Sequence, residues 1–159
     1  MDEERIILDE KESLILLELI KNSRQSLAGI SKKTGVPTTT IHNIIRRLKK
    51  KGIIEKHIAI INFSKIGFPL RINFIIRVEK KKELLDFLIG EKCVNWIKKI
   101  NNGYDFIVDL FFRNLSEYES FKEKIEAYGI DGKKEHYIIE ELKEDCSGLL
   151  SNVIKNKRL

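Results

Sequence analysis

The sequence has few of the residues on which redox and metal chemistry depend. Its 159 residues include two cysteines, Cys93 and Cys146, and three histidines. The cysteines stand far apart, with no Cys-x-x-Cys pair and no histidine at metal-ligand spacing. No histidine has a visible catalytic partner. The pattern predicts reduced structural thiols, no metal site, no cofactor and no enzyme activity.

Long apolar stretches are missing as well. No run approaches the roughly 20 apolar residues that span a bilayer. The acidic N-terminus, Met1 to Glu4, lacks the apolar core of a secretory signal. We therefore expect a cytoplasmic protein that does not bind membranes.

One segment has no acidic residues at all. Between Asn22 and Lys51 the chain carries no Asp or Glu, but eight basic residues: Arg24, Lys32, Lys33, Arg46, Arg47, Lys49, Lys50 and Lys51. The whole chain has a net charge of +6, and residues 1–54 contain 11 basic and seven acidic residues. This local excess favours an anionic partner, although charge alone does not distinguish DNA from RNA or a membrane surface.

The same segment has the pattern of a helix-turn-helix. Leu8 to Asn22 and Ser26 to Thr34 predict two helices, and Gly35 suits the tight turn that follows. The apolar residues after Pro37 have the i, i+3, i+4, i+7 spacing of a third helix with one buried stripe. β-branched residues suited to the strands of a wing come next; they are Ile53, Ile54, Ile58, Ile60 and Ile61.

The other face of the third helix carries residues that can contact DNA. At about 100° per residue, Thr39, Asn43, Arg46 and Lys50 lie opposite the apolar stripe, with His42 and Arg47 on the flanks. Asn can pair with adenine, Arg with guanine, and Lys with phosphate. The alternative is an ordinary solvated helix. The predicted DNA-binding residues are Arg24, Ser26, Thr38, Thr39, Thr40, His42, Asn43, Arg46, Arg47 and Lys50, and Lys32, Lys33, Lys49 and Lys51 are further candidates for phosphate contacts.

After Gly67 and Pro69 the pattern changes to alternating strands and helices. It predicts strands at Leu70 to Val78, Val94 to Ile100, Phe106 to Phe112 and Lys134 to Leu142, and helices at Lys81 to Ile89 and Leu115 to Tyr128. The order βαββαβ is that of a ferredoxin-like unit. The chain is therefore expected to be an α+β protein with an N-terminal winged helix-turn-helix and a C-terminal ferredoxin-like domain.

This organisation predicts four segments: a winged helix-turn-helix domain at 1–56, a linking strand and hinge at 57–68, the βαββαβ domain at 69–145 and a basic tail at 146–159. A four-stranded sheet with both helices on one face leaves its other face uncovered, which oligomerisation commonly remedies. We therefore expect a homodimer. Two recognition helices one turn of DNA apart would suit a palindromic site.

The whole arrangement resembles the Lrp/AsnC, or feast/famine, family of transcription regulators. The resemblance covers roughly Leu8 to Leu142. It rests on the βαββαβ order together with Asn22-Ser23-Arg24 followed by Ser26, Gly35-Val36 through Ile41, Arg46-Arg47-Leu48, Gly52-Ile53-Ile54 and Tyr104-Asp105. It implies a sequence-specific regulator that binds double-stranded DNA, and a dimer formed partly through a strand at His57 to Phe63. It also allows assembly into tetramers or octamers.

The resemblance further implies a RAM-type C-terminal domain that binds a small effector, often an amino acid. The hairpin turn is the usual effector region of the family, so Asn102, Gly103, Tyr104 and Asp105 become the candidate effector-binding residues. Backbone N–H groups of the turn could bind a carboxylate, and Asp105 an ammonium group. The alternative is that Gly103 and Asp105 simply form the turn.

Two other functions fit the same architecture. Sirohaem decarboxylases resemble the Lrp/AsnC proteins, and such an enzyme would need His and Arg side chains that converge on an anionic macrocycle. Arg71, Arg77 and His136 are the candidates, and they are scattered in the sequence. A ligand-sensing module that no longer binds DNA is the other alternative, and the basic helical face argues against it.

Overall fold

The computed structural model describes residues 6–142. The contacts divide these residues into two compact units, 6–59 and 60–142. The predicted tail at 146–159 and Cys146 lie outside the described residues. No helix within residues 6–142 is both long enough and apolar enough to cross a bilayer. The two units are described separately below.

The first unit contains three helices: α1 (Glu10–Lys21), α2 (Leu27–Thr34) and α3 (Thr38–Lys50). Asp9 and Glu12 form a capping box that begins α1, and the Ser26 side chain begins α2. Gly35 ends α2 with a φ of 71°, a left-handed conformation that glycine adopts without strain. One apolar core joins the three helices, with Ile15, Leu16, Leu19, Ile30, Val36, Ile41, Ile44 and Leu48 as its buried members.

The segment after α3 differs from the prediction. Ile53, Ile54, Ile58, Ile60 and Ile61 form no strand in this chain, and Ile58, Ile60 and Ile61 are exposed. Their β-branched side chains favour extended backbone, but a strand also needs a neighbour to pair with. Ile53 and Ile54 instead pack against the helical core. A short 3-10 helix, Phe63–Ile66, follows in the second unit.

The second unit has the predicted βαββαβ order. Its elements are β1 (Leu70–Val78), α4 (Lys81–Gly90), β2 (Val94–Lys99), β3 (Phe106–Phe112), α5 (Leu115–Glu126) and β4 (Ile130–Tyr137). The sheet is antiparallel in the order β2-β3-β1-β4. Both helices pack on the face that carries the buried residues Ile72, Phe74 and Ile76 of β1. The opposite face carries Arg71 and Asn73, and neither helix covers it.

The last strand is displaced from its predicted position. β4 spans Ile130–Tyr137, whereas the sequence predicted Lys134 to Leu142. Gly129, at a φ of 75°, ends the turn after α5 so that pairing with Val78 of β1 begins at once at Ile130. The pairing ends with Tyr137 opposite Ile72. The strand was mispredicted because Asp131, Gly132 and Lys133 break any apolar alternation.

Candidate nucleic-acid interface

Helix α3 has one buried side and one exposed side. Ile41 and Leu48 are fully buried and Ile44 is 5% exposed. Thr39, His42, Asn43, Arg46 and Lys50 are all exposed on the rest of the surface. The 3.6-residue period of the helix separates these two groups because positions three and four apart share a face. The exposed side therefore has the composition that the sequence predicted.

The N-terminal end of α3 is also available to an anion. Thr38, Thr39 and Thr40 lie in the first helical turn, and no side chain caps it because Pro37 occupies the N-cap position. The first N–H groups of a helix have no partner within the helix and carry the positive end of its dipole. The three threonines thus present both hydroxyls and backbone donors at the start of the exposed side.

Arg24 and Ser26 lie in the turn between α1 and α2. The Ser26 hydroxyl accepts a hydrogen bond from the Gly29 N–H at 3.0 Å, which fixes the start of α2. The backbone N–H of Arg24 donates to the Asn22 side chain at 3.0 Å, and Arg24 is exposed. Both residues remain candidates for phosphate contacts, and Ser26 has a structural role in addition.

Two of the predicted DNA-contacting cations already have carboxylate partners. The Arg47 guanidinium donates to Glu12 at 2.9 Å, and Lys33 donates to Glu18 at 2.9 Å and to the Gln25 side chain at 2.6 Å. Both glutamates belong to α1 and are more than nine-tenths buried. Sequence reasoning did not identify either pair. A capping-box spacing such as that of Asp9 and Glu12 can be recognised in a sequence, whereas the contact of Glu12 with Arg47 cannot.

Glu18 is held in its charged form by the lysines around it. Hydrogen bonds from Lys33 and Lys21, both at 2.9 Å, lower the pKa of the Glu18 carboxyl from 4.5 to about 2, against the opposing effect of burial. The Gln25 side chain also donates to the Glu18 backbone carbonyl at 2.7 Å. This network joins both the last turn of α2 and the turn that precedes α2 to α1.

The remaining cations of this unit are free to bind an anion. Within residues 6–142, six basic side chains between Asn22 and Gly52 form neither an ion pair nor a hydrogen bond: Arg24, Lys32, Arg46, Lys49, Lys50 and Lys51. Four of the six lie on α3 or directly after it. Exposed cations of this kind bind phosphates, and arginine can also pair with guanine.

The hairpin between β2 and β3 contains the predicted effector residues. Asn102 and Gly103 have φ angles of 66° and 86°, so two successive residues adopt the left-handed conformation. Asn102 and Gly103 are exposed, and Tyr104 is half-buried with the Lys134 ammonium 5.1 Å from its ring centre. The turn therefore exposes Asn102 and Gly103.

Asp105 is already occupied by groups of this chain. Its carboxylate forms an ion pair with Lys81 at 2.7 Å and accepts the Val78 N–H at 3.0 Å. These contacts, chiefly the one with Lys81, lower the pKa of Asp105. The carboxylate thus joins the hairpin to the end of β1 and the start of α4, and an ammonium ligand would have to displace Lys81.

The residues required by the enzyme alternative are not brought together. Arg71 pairs with Asp109 and Arg77 with Asp131, and these two arginines are six residues apart on β1, about 20 Å along the strand. His136 lies opposite Asn73, between them. No group of three or more His, Cys, Asp or Glu in the described part of the chain could hold a metal ion.

Comparison with known proteins places this chain among DNA-binding regulators. A family model described as winged helix-turn-helix DNA-binding matches residues 8–55. An uncharacterised HTH-type transcriptional regulator of Pyrococcus horikoshii is 31% identical, over 87% of this chain and 95% of the relative. One from Pyrococcus abyssi is 30% identical, over 87% of this chain and 97% of the relative.

Solved structures of low sequence identity share the fold over nearly the full length. LrpC of Bacillus subtilis has a TM-score of 0.80 at 20% identity, covering 88% of this chain and all of LrpC. A Neisseria meningitidis transcriptional regulator in complex with L-Met has a TM-score of 0.81 at 16% identity, over 88% and 95% of the two chains. An AsnC family regulator of Agrobacterium tumefaciens has a TM-score of 0.77 at 19% identity, over 87% and 94%.

Proposed function

We propose that this chain, which belongs to the Lrp/AsnC type of HTH transcriptional regulators, binds a specific double-stranded DNA sequence as a homodimer and responds to a small effector. DNA-binding transcription regulation is the function of this group. The proposal adds the specificity, the assembly and the ligand. The exposed side of α3, rich in cations and free of acidic residues, is the observation that carries it.

The proposed DNA contacts divide into two sets. Thr39, His42, Asn43 and Arg46 are exposed along α3 and would reach base edges in the major groove. Phosphate contacts would come from three places. The first is the uncapped first turn of α3, with Thr38 and Thr40. The others are the C-terminal end of α3, with Lys49, Lys50 and Lys51, and the region of α2, with Arg24, Ser26 and Lys32. Phosphate contacts would set the register of the helix on DNA, and base contacts would supply the discrimination.

A second copy of the chain would cover surfaces that the single chain leaves open. Ile58, Ile60 and Ile61 are 63%, 68% and 49% exposed in a segment that has no strand partner. Such a segment gains backbone hydrogen bonds and buries its apolar side chains when it pairs with its counterpart. We propose this pairing for the predicted linking strand, His57 to Phe63, and expect a dimer, with tetramers or octamers as further assemblies.

The uncovered face of the sheet supports the same assembly. Trp96, Asp109, Asn73 and His136 form a row across all four strands on that face. The Asn73 side-chain oxygen is buried and, among the described residues, has no hydrogen-bond partner. A buried acceptor without a donor is costly, and a donor from a facing copy would satisfy it.

The hairpin with Asn102, Gly103, Tyr104 and Asp105 remains the proposed effector site. The Neisseria neighbour was solved with L-Met, which supports an amino-acid ligand for this fold. In this chain the ammonium group of such a ligand would compete with Lys81 for Asp105. Thermal unfolding in the presence of single amino acids would test this, since a ligand that binds only the folded state raises the Tm. The Asp105→Asn variant should lose that increase.

The decisive experiment is a DNA titration. Fluorescence anisotropy of the full chain on the DNA upstream of its own gene, with a scrambled fragment of equal length as control, would be measured at two salt concentrations. Tighter binding to the native fragment that persists at the higher salt supports a sequence-specific regulator. Equal and steeply salt-dependent binding to both would overturn specificity for this site and indicate attraction to the backbone alone.

A further inference from the structure

Arg47 has a different environment from its neighbour Arg46, although both belong to the basic run of α3. Arg46 is exposed and, within residues 6–142, forms no ion pair or hydrogen bond. The Arg47 guanidinium lies 2.9 Å from the Glu12 carboxylate and 3.8 Å from that of Asp9. The two arginines are about 100° apart around the helix, and Arg47 is the one turned towards α1.

The carboxylates that Arg47 contacts are those of the α1 capping box. One Glu12 oxygen accepts the Asp9 N–H at 2.8 Å, while the other accepts from Arg47. An Asp9 oxygen accepts the Glu12 N–H at 2.7 Å. Glu12 therefore serves two elements at once, because it fixes the first turn of α1 and binds the C-terminal half of α3.

The burial of Glu12 favours keeping this contact when DNA binds. Its side chain is 7% exposed, against 50% for Arg47. A carboxylate that is nearly buried and loses its cation costs considerable free energy. The exposed Asp9 carboxylate, 58% accessible, would also repel a phosphate brought close to Arg47. Both effects disfavour a direct contact between Arg47 and the DNA backbone.

We propose that Arg47 is a positioning residue: it fixes the recognition helix against the capping box of α1 and does not contact DNA. This inference rests on the proposed function, in which α3 enters the major groove. A recognition helix must hold its angle to place Asn43 and Arg46 at base edges. The Arg47 ion pair supplies a restraint at the end of α3 opposite its uncapped N-terminus.

For the Glu12→Gln variant, the proposal predicts a change in DNA affinity opposite to the one that charge alone would give. Glutamine can still accept the Asp9 N–H, so the capping box is kept, while the charge that holds Arg47 is removed. Deleting a negative charge near a DNA-binding surface ordinarily tightens DNA binding. The proposal predicts the reverse: binding of Glu12→Gln to the upstream fragment weakens by roughly threefold to tenfold, the range of partly exposed charged hydrogen bonds.

The full test compares Arg47→Met, Arg47→Lys, Glu12→Gln and the Arg47→Met/Glu12→Gln double variant on the upstream and scrambled fragments. Arg47→Met should weaken specific binding by roughly threefold to tenfold, with a smaller loss on scrambled DNA and an unchanged salt slope. Arg47→Lys should bind nearly as wild type does. The double variant should bind no worse than Arg47→Met, because both changes remove one contact.

Lys49→Met is the matched control. It removes an exposed cation of the same helix that has no partner among the described residues, and it should lower the salt slope by about one unit, as the loss of a phosphate contact does. A similar fall in slope for Arg47→Met, or tighter binding by Glu12→Gln, would overturn the proposal. The proposal would also be overturned if Arg47→Met lowered DNA affinity as much in the Glu12→Gln background as it does in the wild-type protein.

A measurement without DNA separates this inference from the proposed function. Thermal unfolding of the wild type, Arg47→Met, Glu12→Gln and the Arg47→Met/Glu12→Gln double variant forms a double-mutant cycle for Arg47 and Glu12. Unfolding effects that are not additive support the ion pair, and additive effects overturn it. Wild-type protein that binds neither DNA fragment would overturn the proposed function and with it the DNA role of Arg47, whereas the unfolding cycle would still report on the contact itself.

Discussion

The two units of the molecule use their charges differently. Residues 6–59 contain 11 Lys and Arg against five Asp and Glu, whereas residues 60–142 contain 14 of each. In the first unit two of the five carboxylates, Glu12 and Glu18 of α1, are nearly buried. These two acidic groups thus form contacts inside the helical unit, and the surplus cations are left on its surface.

In the second unit the opposite charges balance, and six of the 14 cations form ion pairs within the unit. The Arg71 guanidinium binds both oxygens of the fully buried Asp109, at 2.8 and 3.1 Å, and Asn95 donates to the same carboxylate at 2.8 Å. Arg77 pairs with Asp131 on the surface. The difference indicates that the first unit has surplus cations for an external anion, while the ion pairs of the second, above all the one between Arg71 and Asp109, stabilise the fold.

The largest predicted effect removes the most buried pair of the second unit. Arg71→Met should lower the free energy of unfolding by about 3 to 5 kcal/mol, because the fully buried Asp109 would keep its charge but lose its cation. Urea unfolding of the full chain measures this. Arg77→Met is the matched control on the same strand: its pair with Asp131 is half exposed on both sides, and its loss should cost under about 1 kcal/mol.

Equal small effects of Arg71→Met and Arg77→Met would contradict this view of the second unit. They would mean that water reaches the Asp109 carboxylate and replaces the lost guanidinium at little cost. The two units would then differ only in their net charge, and the buried ion pair of the second unit would not be important for its stability.

Much of the fold followed from local sequence patterns. Apolar residues at every even position from Leu70 to Val78 predicted β1 with its observed bounds, and Gly35 predicted the end of α2. β4 was misplaced because its residues do not alternate. The isoleucines from Ile53 to Ile61 were read as strands from their propensity, but pairing depends on a partner that the propensity of a segment does not reveal.

The candidate site was less accessible to sequence reasoning than the fold. The exposed side of α3 followed from helical periodicity, as did the separation of Arg46 from the core. The pairing of Arg47 with Glu12 and of Lys33 with Glu18 did not, because 35 and 15 residues separate the partners. A run of cations looks uniform in sequence, and only the tertiary structure distinguishes the paired members from the free ones.

The second prediction tests the free cations of the first unit. Arg46→Ala should weaken binding to the upstream fragment by about 1 to 3 kcal/mol if Arg46 reads guanine, with reduced discrimination at one base pair. Because Arg46 is exposed and unpaired in the described structure, the Tm should change little. Arg113→Ala, at an exposed arginine of the neutral unit, should leave DNA affinity unchanged in the same anisotropy assay.

The outcomes for Arg46 distinguish two kinds of contact. Equal weakening on upstream and scrambled DNA, with a shallower salt slope, would make Arg46 a phosphate contact. Weakening by Arg113→Ala as large as that by Arg46→Ala would contradict the division of labour between the two units, since it would place DNA contacts in the unit whose charges balance.

The third prediction concerns pH and the Glu18 network. The folded-state pKa of Glu18, about 2, lies below its ordinary value of 4.5, so its stabilising effect is present above about pH 4.5 and is lost as the pH falls towards 2. Since Lys21 and Lys33 are more than half exposed, the effect should be only about 1 kcal/mol. Unfolding of wild type and Glu18→Gln at several pH values measures the difference.

That difference should shrink steadily between pH 5 and pH 2. Glu126→Gln is a control from the second unit, where Glu126 pairs with Lys133 and both side chains are substantially exposed. Its effect should stay below about 0.5 kcal/mol. A Glu18→Gln difference that is the same at pH 7 and pH 2.5 would show that the carboxylate charge does not stabilise the helical unit.

The smallest predicted effect concerns the ion pair that joins α4 to the hairpin. Lys81→Met removes the cation from Asp105, but Lys81 is 62% exposed and the Val78 N–H still donates to the same carboxylate, so the free energy of unfolding should fall by only about 0.5 kcal/mol. Ligand binding at the hairpin should change more clearly than the free energy of unfolding. Because Lys81 would compete with a ligand ammonium group for Asp105, its removal should tighten binding of any amino acid that raises the Tm of the wild-type protein. Weaker binding would instead make Lys81 part of the ligand contact, for example to a carboxylate, and the second unit would then also hold a cation for an external anion.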